Sequence, residues 1–115
     1  MAQKVLIFDS TLRDGAQAEG ISFSVEDKLR VLKSLDQAGI DIIEAGNPGS
    51  NPKDIEFFDR LQSVPLTHAR LCAFGSTRRP GIIPENDANL ERIIQARTPV
   101  AAIFGKSSKF HVEKI

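Results

Sequence analysis

Apolar positions along this chain come in short blocks separated by longer mixed stretches. Residues 5–8 (Val5-Leu6-Ile7-Phe8) form one block, and residues 40–43, 71–74 and 100–104 form three more. Brief, nearly continuous apolar runs predict strands covered on both faces, as in a parallel sheet. The intervening stretches carry helical signals instead. Ser24 precedes Val25-Glu26-Asp27, matching the Ser-x-x-acid capping box, and the acids suit the positive end of a helix dipole. Leu29, Leu32, Leu35 and Ala38 then fall near helical spacing, and Gly39 is placed to end the helix in the left-handed conformation. Asn51-Pro52 reads as an N-cap followed by proline at the first helical position, with Asp54 and Glu56 in the first turn. Ile55, Phe58 and Leu61 face inward, and Gln62 or Ser63 ends that helix. Asp87 or a neighbour starts a third helix with Leu90, Ile93, Ile94 and Ala96 as its stripe, broken by Thr98-Pro99. Residues 110–115 read as the start of a fourth.

The strand ends recur at a nearly fixed interval: 31 positions from Arg13 to Glu44, 30 from Glu44 to Phe74 and 30 from Phe74 to Phe104. About thirty residues is one βα unit, and right-handed crossovers bring all the strand ends to one face. The fold class expected is therefore α/β, with parallel (β/α) units forming the first half of a TIM barrel. A complete barrel takes about 250 residues, so residues 1–115 are expected to be the N-terminal half of a truncated catalytic domain. A small open sheet of flavodoxin type is the alternative, although it requires a return in strand order and usually a fifth strand. A half-barrel leaves two unpaired sheet edges, so a homodimer or higher oligomer is expected.

Composition narrows the function classes. The chain is 41% apolar and 26% charged with no net charge, as in a globular domain with a real core. Without a basic run there is no electrostatic case for nucleic acid or an anionic membrane. No stretch approaches the roughly 20 apolar residues of a bilayer span, so the expected location is cytoplasmic. The lone cysteine, Cys72, lies in an apolar run and reads as a small buried residue.

Chemistry concentrates where the first apolar block ends, in Asp9-Ser10-Thr11-Leu12-Arg13-Asp14-Gly15-Ala16-Gln17. Arg13 offers a permanently charged planar fork and Asp14 a hard carboxylate oxygen. The pair suits an oxygen-rich substrate, with a divalent cation on the carboxylate and arginine stabilising charge on a carbonyl oxygen. A surface ion pair in a turn is the plainer reading. The basic loop Ser76-Thr77-Arg78-Arg79 reads equally as an anion site or as solvated charge.

The pattern Asp-x-Thr-Leu-Arg-Asp-Gly-x-Gln resembles the signature of the isopropylmalate, homocitrate and citramalate synthases, the DRE-TIM metallolyases. Residues 20–28, 43–54 and 73–79 resemble the (R)-citramalate synthase branch most. The resemblance implies an acyltransferase that condenses acetyl-CoA with a 2-keto acid, pyruvate giving (R)-citramalate, in branched-chain amino acid biosynthesis. Its implied cofactor is a divalent metal ion (Mn, Mg or Zn), with acetyl-CoA as co-substrate. Carried over by motif, Asp14 is a metal ligand, Arg13 polarises the keto oxygen, and Glu44 pairs with Arg13. By the same motif Gln17 joins Arg13 in binding substrate, while Ser76, in the loop after the third strand, and Lys106 and Ser107, at the end of the fourth, are added from their position as substrate-binding residues.

The chain also departs from the family. Its two histidines, His68 and His111, are too far apart to form the family's His-x-His metal pair, and the enolising base is also expected beyond residue 115. Alone, the chain is expected to be inactive. The readings left open are an isopropylmalate or homocitrate synthase-like enzyme, an aldol-type lyase of the same superfamily, and a non-catalytic half-barrel binding module.

Overall fold

The structure, a computed structural model, describes residues 3–115. Four parallel strands, β1 (Phe8–Asp9), β2 (Ile42–Gly46), β3 (Arg70–Ser76) and β4 (Val100–Phe104), lie side by side in sequence order. Helices α1 (Val25–Gln37), α2 (Pro52–Leu61) and α3 (Ala88–Gln95) connect them, and a short α4 (Lys109–Lys114) follows β4. That order decides between the two α/β candidates. A doubly wound sheet must reverse its strand order to put helices on both faces, whereas 1-2-3-4 winds in one direction, as in the first half of a TIM barrel.

The helices begin where their caps direct. Ser24 and Asp27 exchange both capping-box hydrogen bonds, the Asn51 side chain accepts from the Asp54 amide, and the Asp87 side chain accepts from the amides of Asn89 and Leu90. Leu29, Leu32, Phe57, Phe58, Leu61 and Ile93 pack against Ile43, Ala45 and Ala73 of the sheet. Gly39 has φ +87°, as its position at the end of α1 requires. Gly39→Ala is therefore expected to cost about 1–2 kcal/mol, read as a lower urea midpoint with unchanged slope.

Several boundaries and faces differ from the sequence expectation. Residues 5–8 are exposed, and only Phe8–Asp9 is strand: the Ile7 carbonyl accepts from the amides of Asp41 and Ile42, but its N–H goes to the Asp41 carboxylate at 2.9 Å. The second strand begins at Ile42 and runs through Glu44 to Gly46, so Glu44 is a residue within a strand and not its terminus. Its neighbour Ala45 turns to the core while a bulge between Glu44 and Gly46 shifts the register against β3. In α3, Ile94 is 76% exposed because the Asp87 cap sets a phase that turns Ile93 and Ala96 to the sheet. Phe57, outside the expected stripe of α2, is fully buried, and Glu56 lies beyond the first turn.

Two buried charges join elements that periodicity treats separately. Lys28 of α1 reaches Asp54 of α2 at 2.8 Å. Asp36, in the last turn of α1, accepts from the amides of Thr67, His68 and Ala69, fastening the segment that leads into β3.

Candidate active site

The site begins with a bend that its own side chains make. At the end of β1, the Asp9 carboxylate accepts from the Thr11 amide and the Thr11 hydroxyl, each at 2.9 Å, turning the chain sharply. The amides of Arg13 and Asp14 both donate to the Ser10 carbonyl, and Leu12 plugs into the core. A short 3-10 turn over Gly15–Gln17 completes the loop. With Leu12 anchored inward, Arg13 is delivered across the end of the sheet.

Arg13 bridges three strands' worth of chain. Its Nε donates to Glu44 Oε2 of β2, and Cζ lies 3.7 Å from the centroid of the Phe74 ring of β3. Glu44 is 1% exposed, so this guanidinium is the charge that compensates a carboxylate removed from water. The Glu44 hydrogen bond raises the Arg13 pKa, outweighing burial, and the group stays a cation. It can act electrostatically but cannot exchange protons.

The other edge of the fork points outward to Asp14. Nη1 donates to Oδ1 at 2.8 Å and Nη2 to Oδ2 at 3.2 Å, while Ser10 Oγ donates to Oδ2 at 2.9 Å. Asp14 is 60% exposed, in contrast to Glu44. Arg13 thus has one carboxylate partner in the interior and one at the surface. The surface partner is the exchangeable one, since water and ions compete for it.

A cleft of about 560 Å³ opens beside this group, lined among others by Arg13, Gln17, Phe23, Lys28, Asn51 and Phe74. Gln17 and Arg13 therefore share one cavity. Ser76, Lys106 and Ser107 lie outside it. Ser76 Oγ accepts from Asn89 Nδ2 at 3.3 Å, Lys106 Nζ is 5.6 Å from the Phe104 ring centroid, and Ser107 is exposed.

As a metal site the described residues are insufficient. Asp14 presents a hard, exposed carboxylate, but among the described residues no three His, Cys, Asp or Glu side chains converge. One carboxylate already engaged by Arg13 and Ser10 does not make a divalent-cation site. Cys72 is no nucleophile either: burial, reinforced by the Glu44 charge, pushes its thiol up to about 11. In the basic loop, Arg78 donates to the Ile82 carbonyl, and the Arg79 amide donates to Asp87 at 2.8 Å.

The HMGL-like family matches residues 4–115. The chain belongs to the HMGL-like family. Among its relatives is an (R)-citramalate synthase of Geobacter sulfurreducens, 53% identical over 110 residues, covering 96% of this chain and 21% of the relative. An (R)-citramalate synthase of Aquifex aeolicus is 53% identical over 112 residues, covering 97% of this chain and 21% of the relative. A 2-isopropylmalate synthase of Staphylococcus aureus is 33% identical over 113 residues, covering 98% and 21%. This HMGL-like chain spans about a fifth of the length of these curated relatives.

Sequence reasoning missed the part of the site made by Phe74. A phenylalanine in an apolar strand is indistinguishable from core until the fold lays an arginine from another βα unit over its ring.

Proposed function

We propose that this chain supplies the Arg13–Glu44 part of an active site that condenses acetyl-CoA with a 2-keto acid, with pyruvate giving (R)-citramalate. The observation carrying this reading is the buried Glu44 carboxylate holding Arg13 at Nε while Arg13 itself lines the cleft. The choice of pyruvate is supported by 53% identity to (R)-citramalate synthases against 33% to a 2-isopropylmalate synthase.

In this reaction a base takes a proton from the acetyl-CoA methyl group, and the resulting enolate carbon bonds to the keto carbon as the carbonyl π pair moves onto oxygen. The alkoxide so formed is protonated, and water hydrolyses the thioester to release the CoA thiol and the product acid. Arg13 draws electron density toward the keto oxygen and stabilises the alkoxide, an effect strongest where the donor is already oriented and partly shielded from water. Glu44 holds Arg13 in place, so no reorganisation is needed as charge develops. Gln17 donates or accepts hydrogen bonds at the cleft wall. Asp14 would offer one carboxylate oxygen toward a divalent metal ion (Mn, Mg or Zn) whose remaining ligands are not among the described residues, and that ion would supply Lewis acidity. Ser76, Lys106 and Ser107 belong to the proposed substrate surroundings. The enzyme is proposed to act in the cytoplasm in branched-chain amino acid biosynthesis. A homodimer or higher oligomer is supported by the exposed apolar side chains of Val5, Ile7, Ile103 and Phe104 near the two sheet edges.

The test is to put residues 4–115 in place of the matching segment of the Geobacter sulfurreducens relative and measure thiol release from acetyl-CoA with pyruvate and a divalent metal. The chimera is expected to form citramalate, and Asp14→Ala is expected to lower its rate by about a hundredfold or more. An inactive but folded chimera, or an Asp14→Ala form that is fully active, would overturn the assignment.

A further inference from the structure

Arg13 is held by more than its carboxylates. Resting on the reading of Arg13 as the group that polarises the keto oxygen, we infer that Phe74 is a positioning residue, fixing the tilt of the Arg13 guanidinium through a cation–π contact. Glu44 meets the guanidinium only at Nε. One hydrogen bond sets the position of that nitrogen but leaves the plane free to swing about the bond. The Phe74 ring, 3.7 Å from Cζ, supplies the missing constraint, because a cation is attracted to the ring face and the planar fork gains most contact lying over it. Asp14 cannot do this as firmly: it is mostly exposed, and any ligand that takes its oxygens removes it.

The ring is itself supported. Phe74 and Phe104 stack with centroids 5.3 Å apart and planes 6° from parallel, and Lys106 lies near the Phe104 ring. Their strands are adjacent and parallel, with Phe74 opposite Ala102 and Phe104 opposite Ser76, so the rings come from positions two residues out of register. Ala102 leaves room for this overlap. Arg13, Phe74, Phe104 and Lys106 thus run as a cation, two rings and a cation across the sheet's end. An aliphatic side chain at position 74 would fill the same volume without the electrostatic attraction.

The experiment weakens the ring's negative face without changing its shape. Mono-, di- and trifluorinated phenylalanine are placed at position 74 of the chain, and Arg13 modification by phenylglyoxal is followed by peptide mapping, with exposed Arg30 as internal reference. The Arg13 rate is expected to rise stepwise with fluorination, by about 2- to 30-fold at the trifluoro ring. Phe74→Tyr is expected to stay near the parent rate. A flat series, or Arg30 accelerating in parallel, would overturn the inference.

Because this readout needs no substrate, it separates from the proposed reaction. A graded Arg13 response with an inactive chimera removes only the keto-acid reading, and a flat response with an active chimera removes only the role of Phe74.

Discussion

Arg13→Met is expected to destabilise the chain by about 3–5 kcal/mol at neutral pH, measured by urea unfolding. The variant keeps most of the side-chain volume over Phe74 but leaves the Glu44 carboxylate in the interior without its cation. A loss smaller than about 1 kcal/mol would mean that Arg13 does not compensate Glu44.

Asp36→Asn should cost about 3 kcal/mol, since hydrogen bonds to a charged group are the stronger kind and here several converge. Oδ1 accepts from the amides of His68 and Ala69 at 2.9 and 2.7 Å, and Oδ2 from the amide and hydroxyl of Thr67 at 2.9 and 3.1 Å. An asparagine must point its own N–H groups at one of these donor pairs. The amide bonds of Ala69 and Thr67 are the main reason the Asp36 carboxyl is lowered from 3.8 to about 2. A depressed carboxyl stabilises the fold above its unfolded value and loses that contribution as pH falls through the folded one. Parent stability should consequently drop between pH 3.8 and about 2, and the Asp36→Asn profile should be flatter there. Equal slopes in that window would refute the assignment.

These two residues mark different limits of reading the chain as a string. Arg13 and Glu44 stood out because charges interrupt apolar runs at matching points of successive βα units, and the fold put them in contact. Asp36 gave only a faint signal, an acid in the last turn of a helix where the dipole disfavours it. The reason for its presence lies about thirty residues downstream, in amides that no local pattern identifies. Lys28 is similar: it looks like one more solvent-facing lysine until α2 brings Asp54 to it. The short first strand has the same origin, because a run of apolar residues states a preference for burial but not which backbone will pair with it.

Taken alone, the amino-acid sequence determined the βα period, the caps at Ser24, Asn51 and Asp87, the turn at Gly39 and the charged motif after the first strand. The caps, the turn and the motif depend on interactions spanning a few residues, which local order encodes, and the period shows in the spacing at which apolar runs recur. Only the tertiary structure decided that the strands run 1-2-3-4, that Glu44 sits within a strand, and that Phe74 lies beneath Arg13. Those depend on which side chains the sheet brings together from units about thirty residues apart, and distance along the chain carries no record of that approach.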